Sequence, residues 1–168
     1  PKLVLGYTAI LLAYVLLAYA FTTSMWFIAG TWMGLSRRAA SNWLGANLTG
    51  CLALVLVLYD TGLPRNVCLM LSATMLVLST VSLRRGLQSF FRQPQAIALQ
   101  VVTAGVPAAL NFLVWLPSGL VITGITISSL VAAGVMVKAA IDTHEVLARE
   151  FQPGTAVAMD ARQVRVRA

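Results

Sequence analysis

Five long stretches of the chain hold almost no charged residue, and this limits its fold more than any other feature. They run over about 3–35, 43–59, 66–83, 97–116 and 119–141. The third reads NVCLMLSATMLVLSTVSL and the fourth IALQVVTAGVPAALNFLVWL. A membrane-crossing helix needs roughly 20 predominantly apolar residues. Each stretch meets that length or comes close to it. The first is too short for two passes and long for one, so it tilts or extends past the bilayer. The expected fold is all-α, a polytopic transmembrane helix bundle of about five spans. Only 10% of the residues are charged, against about 25% in soluble domains, so a water-solvated fold is excluded.

The net charge of +7 would suggest nucleic acid in a soluble protein. Here the cations sit between and after the apolar stretches, so no nucleic-acid partner is expected. Sorting them by alternating loops puts Arg37, Arg38, Arg84, Arg85, Arg92, Lys138, Arg149, Arg162, Arg165 and Arg167 on one side. Only Lys2 and Arg65 fall on the other. The positive-inside rule then places the N-terminus outside and the C-terminus in the cytoplasm. Arg37, Arg38, Arg84, Arg85 and Arg92 are the expected membrane-surface residues, facing anionic headgroups. In LRRGLQSFFRQPQ (83–95), Leu83, Leu87, Phe90 and Phe91 are expected to lie in the interface, with Pro94 ending the helix.

Within the spans, small and polar residues mark packing faces or a binding site. Gly30 and Gly34 form a G-x-x-x-G pair, a candidate helix-packing face. Pro107 is expected to kink the fourth span. The hydroxyl and amide residues admit two readings. One is close helix packing with local hydroxyl-to-carbonyl bonds. The other is a polar-lined cavity around Asn47 and Asn111, with Ser72 and Thr126, that binds a small amphiphile or hydrophobic ligand. Trp26, Trp32, Trp43, Tyr59 and Trp115 fall near the expected interfaces and read as an anchoring belt. Cys51 and Cys68 fall at different depths, too far apart to bridge.

No span centre carries an ionisable residue, which argues against an ion-coupled or proton-coupled transporter. A single histidine, His144, cannot build a haem or zinc site alone. No phosphate-binding loop, C-x-x-C or intramembrane carboxylate pair is present. The sequence therefore gives no catalytic residue, no metal site and no cofactor motif.

The fifth span has neither Gly nor Pro between Val135 and Gln152, so its helix is expected to continue through IDTHEVLAREF. Lys138 and Asp142 lie one turn apart and can pair. Ile141, Val146, Leu147 and Phe151 form an apolar stripe, and Pro153-Gly154 then breaks the helix. This is either a device for passing bundle motion to a cytoplasmic module or a simple helix end. The chain divides into a transmembrane domain, 1–152, and a basic tail or linker, 153–168. Pro1 in place of methionine and the abrupt end after QVRVR lead us to expect a piece of a longer chain.

NWLGANL at 42–48, the short loop with GLPRN, and a third span closing in LRRGLQSFFRQP together carry a resemblance. The region 35–95 resembles the N-terminal membrane region of bacterial diguanylate cyclases, a multi-spanning sensor ahead of a cytoplasmic GGDEF domain. Gly86, Leu87, Phe90, Arg92 and Pro94 match the loop after that family's third span; spans four and five match in character alone. The resemblance implies a signal-input domain of the bacterial inner membrane, homodimeric, that controls a C-terminal cyclase. No GGDEF motif occurs in these residues, so cyclase activity would belong to that further domain. Two other functions fit the composition: an accessory subunit of a membrane complex, and a lipid-binding or transport bundle.

Overall fold

The computed structural model describes residues 2–32, 34, 36–58 and 62–150, with helix geometry alone for 2–12 and 150. Tyr59, Phe151, the Pro153-Gly154 break and the tail 153–168 lie outside the described residues. Five helices are long and apolar enough to cross a membrane, and no strand occurs among the described residues. They are α1 (Lys2–Thr31), α2 (Arg37–Leu58), α3 (Arg65–Phe90), α4 (Ile97–Leu110, continued by a π turn, Asn111–Trp115) and α5 (Val121–Glu150).

Two boundaries differ from those that hydropathy marks. Helix α2 begins at Arg37, not near 43, and α3 continues to Phe90, past 83. Hydropathy marks the part of a helix that lies in hydrocarbon. The helix itself ends where its backbone bonding is interrupted, and Arg, Ala, Ser and Gln interrupt nothing. LRRGLQSF is therefore the last two turns of α3 and not a loop. Its end precedes Pro94: Phe91 N–H donates to Leu87 O and Gln93 N–H to Gln88 O, while Arg92 sits at φ 54. This is the 6→1 bond of a Schellman cap, with arginine where glycine is usual. Helix α5 is unbroken for 30 residues. At 1.5 Å per residue it is about 45 Å long, against a hydrocarbon core of about 30 Å.

Helix α3 is central, with α2 on one side and α5 on another, and α4 packs against both α3 and α5. The α2/α3 seam is antiparallel and built from small residues. Ser72 Oγ donates to Ala53 O at 2.9 Å, and Ser79 Oγ donates to Ala46 O at 2.8 Å. Both partners advance by one heptad, so the register repeats. The buried residues Ala39, Trp43, Ala46, Gly50 and Ala53 keep the three-and-four spacing of a supercoiled seam. One heptad beyond Ser79 comes Gly86, where an added Cβ would overlap the Trp43 indole. Small residues let the two backbones approach, which is the main source of helix association in lipid. At the far end, Arg65 Nη1 donates to Val57 O at 2.6 Å and closes the last turn of α2.

The α3/α5 seam is parallel. Val77 and Val81 pack with Ala132 and Val135, and Met70 packs with Trp115 and Val121. Among the described residues, α1 packs chiefly on α2. Gly30 there lies so close to α2 that an added Cβ would stand 2.7 Å from Ala40 Cβ. Among the described side chains of α1, only Ala29 is fully buried.

Two further expectations change. Gly34 lies beyond α1, at φ +68 with nothing near its Cβ position. It cannot share a helix face with Gly30, and Gly30 packs without it. Trp43 and Trp115 are buried rather than anchored at a surface. Trp43 packs against Trp26 with centroids 3.8 Å apart and planes tilted by 41°, and approaches Phe90 at 5.7 Å, with Phe91 edge-on to Phe90. Four aromatic rings thus tie α1, α2 and α3 together at the arginine end. One turn beyond Pro107, α4 also carries a π turn: Leu116 N–H donates to Asn111 O, an i→i−5 bond. That turn leaves Asn111 and Trp115 both facing inward.

Candidate functional site

Helix α5 is tied to the rest of the bundle by polar groups at two levels. The inner level is made by Asn111, whose side chain is 0% exposed. Its Nδ2 donates to Thr74 Oγ1 at 3.0 Å and to Ser128 Oγ at 3.1 Å, joining α4, α3 and α5. Thr74 gives its own proton to Met70 O at 2.9 Å, so it is free to accept from Asn111. Gly124 makes room for this cluster: a Cβ there would stand 2.8 Å from Met70 Cε and 3.0 Å from Asn111 Oδ1. The node is satisfied internally, and in a low-dielectric interior a satisfied polar network specifies one arrangement of its helices.

The outer level lies at the end of the bundle where the cations gather. Arg84 Nη2 and Asp142 Oδ2 stand 3.0 Å apart, and Lys138 Nζ reaches Asp142 Oδ1 at 2.6 Å. One carboxylate thus takes a cation from α3 and another from its own helix. Arg84 and Asp142 are 14% and 17% exposed at the side chain, whereas Lys138 is 58% exposed. Lys138 makes the shorter contact, but the cross-helix pair is the better shielded from solvent, and exposed ion pairs contribute little. Gln93, just past the α3 cap, adds a bond from Nε2 to Asp142 O at 3.3 Å. Nearby, buried Gln100 of α4 donates from Nε2 to Gln88 Oε1 of α3 at 2.7 Å.

The residues suggested for a ligand cavity do not converge. Asn111 is enclosed in its node. Asn47 is half-buried on α2, which packs on a different side of α3 from α4. Ser72 gives its hydroxyl to α2. Thr126 is exposed and bonds back to Ile122 O at 2.9 Å. The packing reading of these residues is the one the geometry supports. Arg37, Arg38 and Arg92 are exposed at the arginine end. Arg37 lines a cavity of about 270 Å³ with Trp26, Gly30 and Ala40, between the end of α1 and the start of α2. Arg84, expected at the lipid surface, instead faces Asp142, and Arg85 lines a groove between α3 and α4. No group of His, Cys, Asp or Glu able to hold a metal ion occurs among the described residues, and Cys68 Sγ donates to Leu63 O at 3.9 Å.

The sequence pointed to the Lys138–Asp142 pair through its i,i+4 spacing. It did not point to Arg84 as the third member or to the Gln88–Gln100 bond, because both depend on how separate helices pack. Compared with protein-family models, curated proteins and solved structures, the chain gives no match.

Proposed function

We propose that the chain is the membrane-embedded signal-input domain of a bacterial inner-membrane protein, with its N-terminus outside and its C-terminus in the cytoplasm. It works as a homodimer and sets the activity of a diguanylate cyclase module that follows α5. The observation that carries this reading is the unbroken α5. It is gripped at Ser128 inside the bundle and at Asp142 at its edge, and then runs on to Glu150. A rigid helix held at two levels transmits a change in the bundle to whatever it enters. The resemblance of residues 35–95 to diguanylate cyclase membrane regions supplies the identity of that module. The gathering of arginines at one end of the bundle supports the orientation. Signalling needs two bundle arrangements that differ in affinity for the signal, and the Arg84–Asp142–Lys138 cluster is the contact that would change between them.

Reading the gene beyond codon 168 tests the proposal. A reading frame that continues into a GGDEF domain supports it; one that closes within a few codons sinks it. In the first case, Asp142→Asn in the whole protein is expected to change cyclic di-GMP output without altering the isolated cyclase domain.

A second reading, an accessory subunit of a membrane complex, draws on α1. Tyr14, Leu17, Phe21, Met25, Phe27 and Ile28 are all exposed there, leaving a large apolar face for lipid or a partner helix. A stoichiometric partner that copurifies in mild detergent would favour this reading over a self-sufficient dimer.

A further inference from the structure

Between α3 and α4 runs a groove of about 350 Å³. Leu78, Val81, Val101 and Ala108 line its walls. Val101 and Gly105 are exposed on the outer face of α4, so the groove opens where lipid tails would lie. Its end nearest the arginine face carries Arg85 and Gln100.

Two polar atoms at that end have no partner and no access to solvent. One is Arg85 Nε, a donor; the other is Gln100 Oε1, an acceptor. Gln100 is 4% exposed and uses its amide nitrogen on Gln88. Buried polar groups are nearly always paired, so two orphans of opposite kind beside one groove call for a ligand that accepts and donates. Charge narrows the choice. Asp142 is already shared by Arg84 and Lys138, and Arg85 has no ion pair among the described residues. A zwitterionic headgroup would bring a cation to this end, whereas an anion with a hydroxyl would neutralise it.

We propose that this groove binds one anionic glycerophospholipid with a hydroxyl-bearing headgroup, of the phosphatidylglycerol type. The phosphate sits on the Arg85 guanidinium, and a rotation of the Gln100 amide that turns Oε1 toward the groove lets the headgroup hydroxyl donate to it. An acyl chain lies along Leu78, Val81, Val101 and Ala108. The exposed arginines offer charge without this combination, so Arg92 contributes nothing to the site. This inference rests on the bundle lying in a membrane and is independent of the signalling role.

Native mass spectrometry of the detergent-solubilised protein tests it, with phosphatidylglycerol, phosphatidylcholine and inorganic phosphate as probes. One phosphatidylglycerol is expected to remain bound at collision energies that strip phosphatidylcholine. Arg85→Gln should weaken retention about ten-fold, the loss expected from one charge-assisted hydrogen bond, and Arg92→Gln should leave it unchanged. Gly105→Leu supplies a second test that spares the helix packing. Gly105 lines the groove and an added Cβ there meets nothing within 4 Å, so a longer side chain can fill that space without displacing a neighbour. It should abolish the adduct at unchanged thermal stability. Equal retention of phosphatidylcholine, or full retention in Gly105→Leu, would overturn the assignment. Displacement by inorganic phosphate alone would also overturn it, as would a shift in the dimer-to-monomer ratio in Gly105→Leu with the lipid adduct intact, which would mark the groove as a face between copies.

Discussion

The two seams on either side of α3 are built in opposite ways. Toward α2, the contact is between backbones. Ala39, Ala46 and Ala53 repeat at heptad spacing, and Ser72 and Ser79 give their hydroxyls to main-chain carbonyls across the gap. Toward α5, the contact is between side chains: valines and alanines, the Asn111 node and the Arg84–Asp142 pair. A seam made by close backbones has few alternative arrangements, because a small shift opens a void that no side chain can fill. One made by side-chain bonds can exchange partners singly. On the signal-input proposal, α2 and α3 would serve as the frame and α5, held by a few side-chain ties, as the element that shifts when those ties change.

Filling the close seam should have the largest effect. Gly86→Leu would drive its side chain into the Trp43 indole and is expected to destabilise the bundle by about 3 kcal/mol or more, read by detergent-titrated unfolding. A mild result would mean that α2 and α3 can part without loss, and the contrast would fail. The outer tie of α5 comes next. Arg84→Met leaves Asp142 with the exposed Lys138 alone and should cost about 2 kcal/mol. Lys138→Met should cost under about 0.5 kcal/mol. Equal losses would show that the carboxylate is held from its own helix and not across the seam. The inner tie is smaller. Asn111→Ala removes the donor to Thr74 and Ser128, yet both hydroxyls can bond back to their own helices, so a loss of about 1 kcal/mol is expected. A double-mutant cycle with Ser128→Ala checks it: strong coupling sharpens the account, and independent effects break it.

The spans were legible because hydrocarbon imposes one requirement on every residue it contacts, and 97–116 or 119–141 can be read without knowing their neighbours. Their ends were less so. Residues 37–42 and 84–90 are too polar to register as membrane, but nothing in them stops a helix. Packing was legible only where it is local, as for Lys138 and Asp142 on consecutive turns. Arg84 joins that pair from 58 residues away, and no spacing rule reaches so far. The Gly30–Gly34 motif shows the converse limit: the spacing is right, but the helix ends at Thr31 between the two glycines. Asn111 stands out in the sequence as an unusual residue for a span. Whether it faced a ligand or two hydroxyls depended on Thr74 and Ser128, which only the fold brings to it.

Hydrogen–deuterium exchange on the protein in lipid nanodiscs, comparing the native chain with Asp142→Asn, tests the frame-and-lever account most directly. Faster exchange in α5 across residues 139–149, with residues 39–46 of α2 unchanged, is the predicted outcome. Equal acceleration in both helices, or none in either, would contradict it.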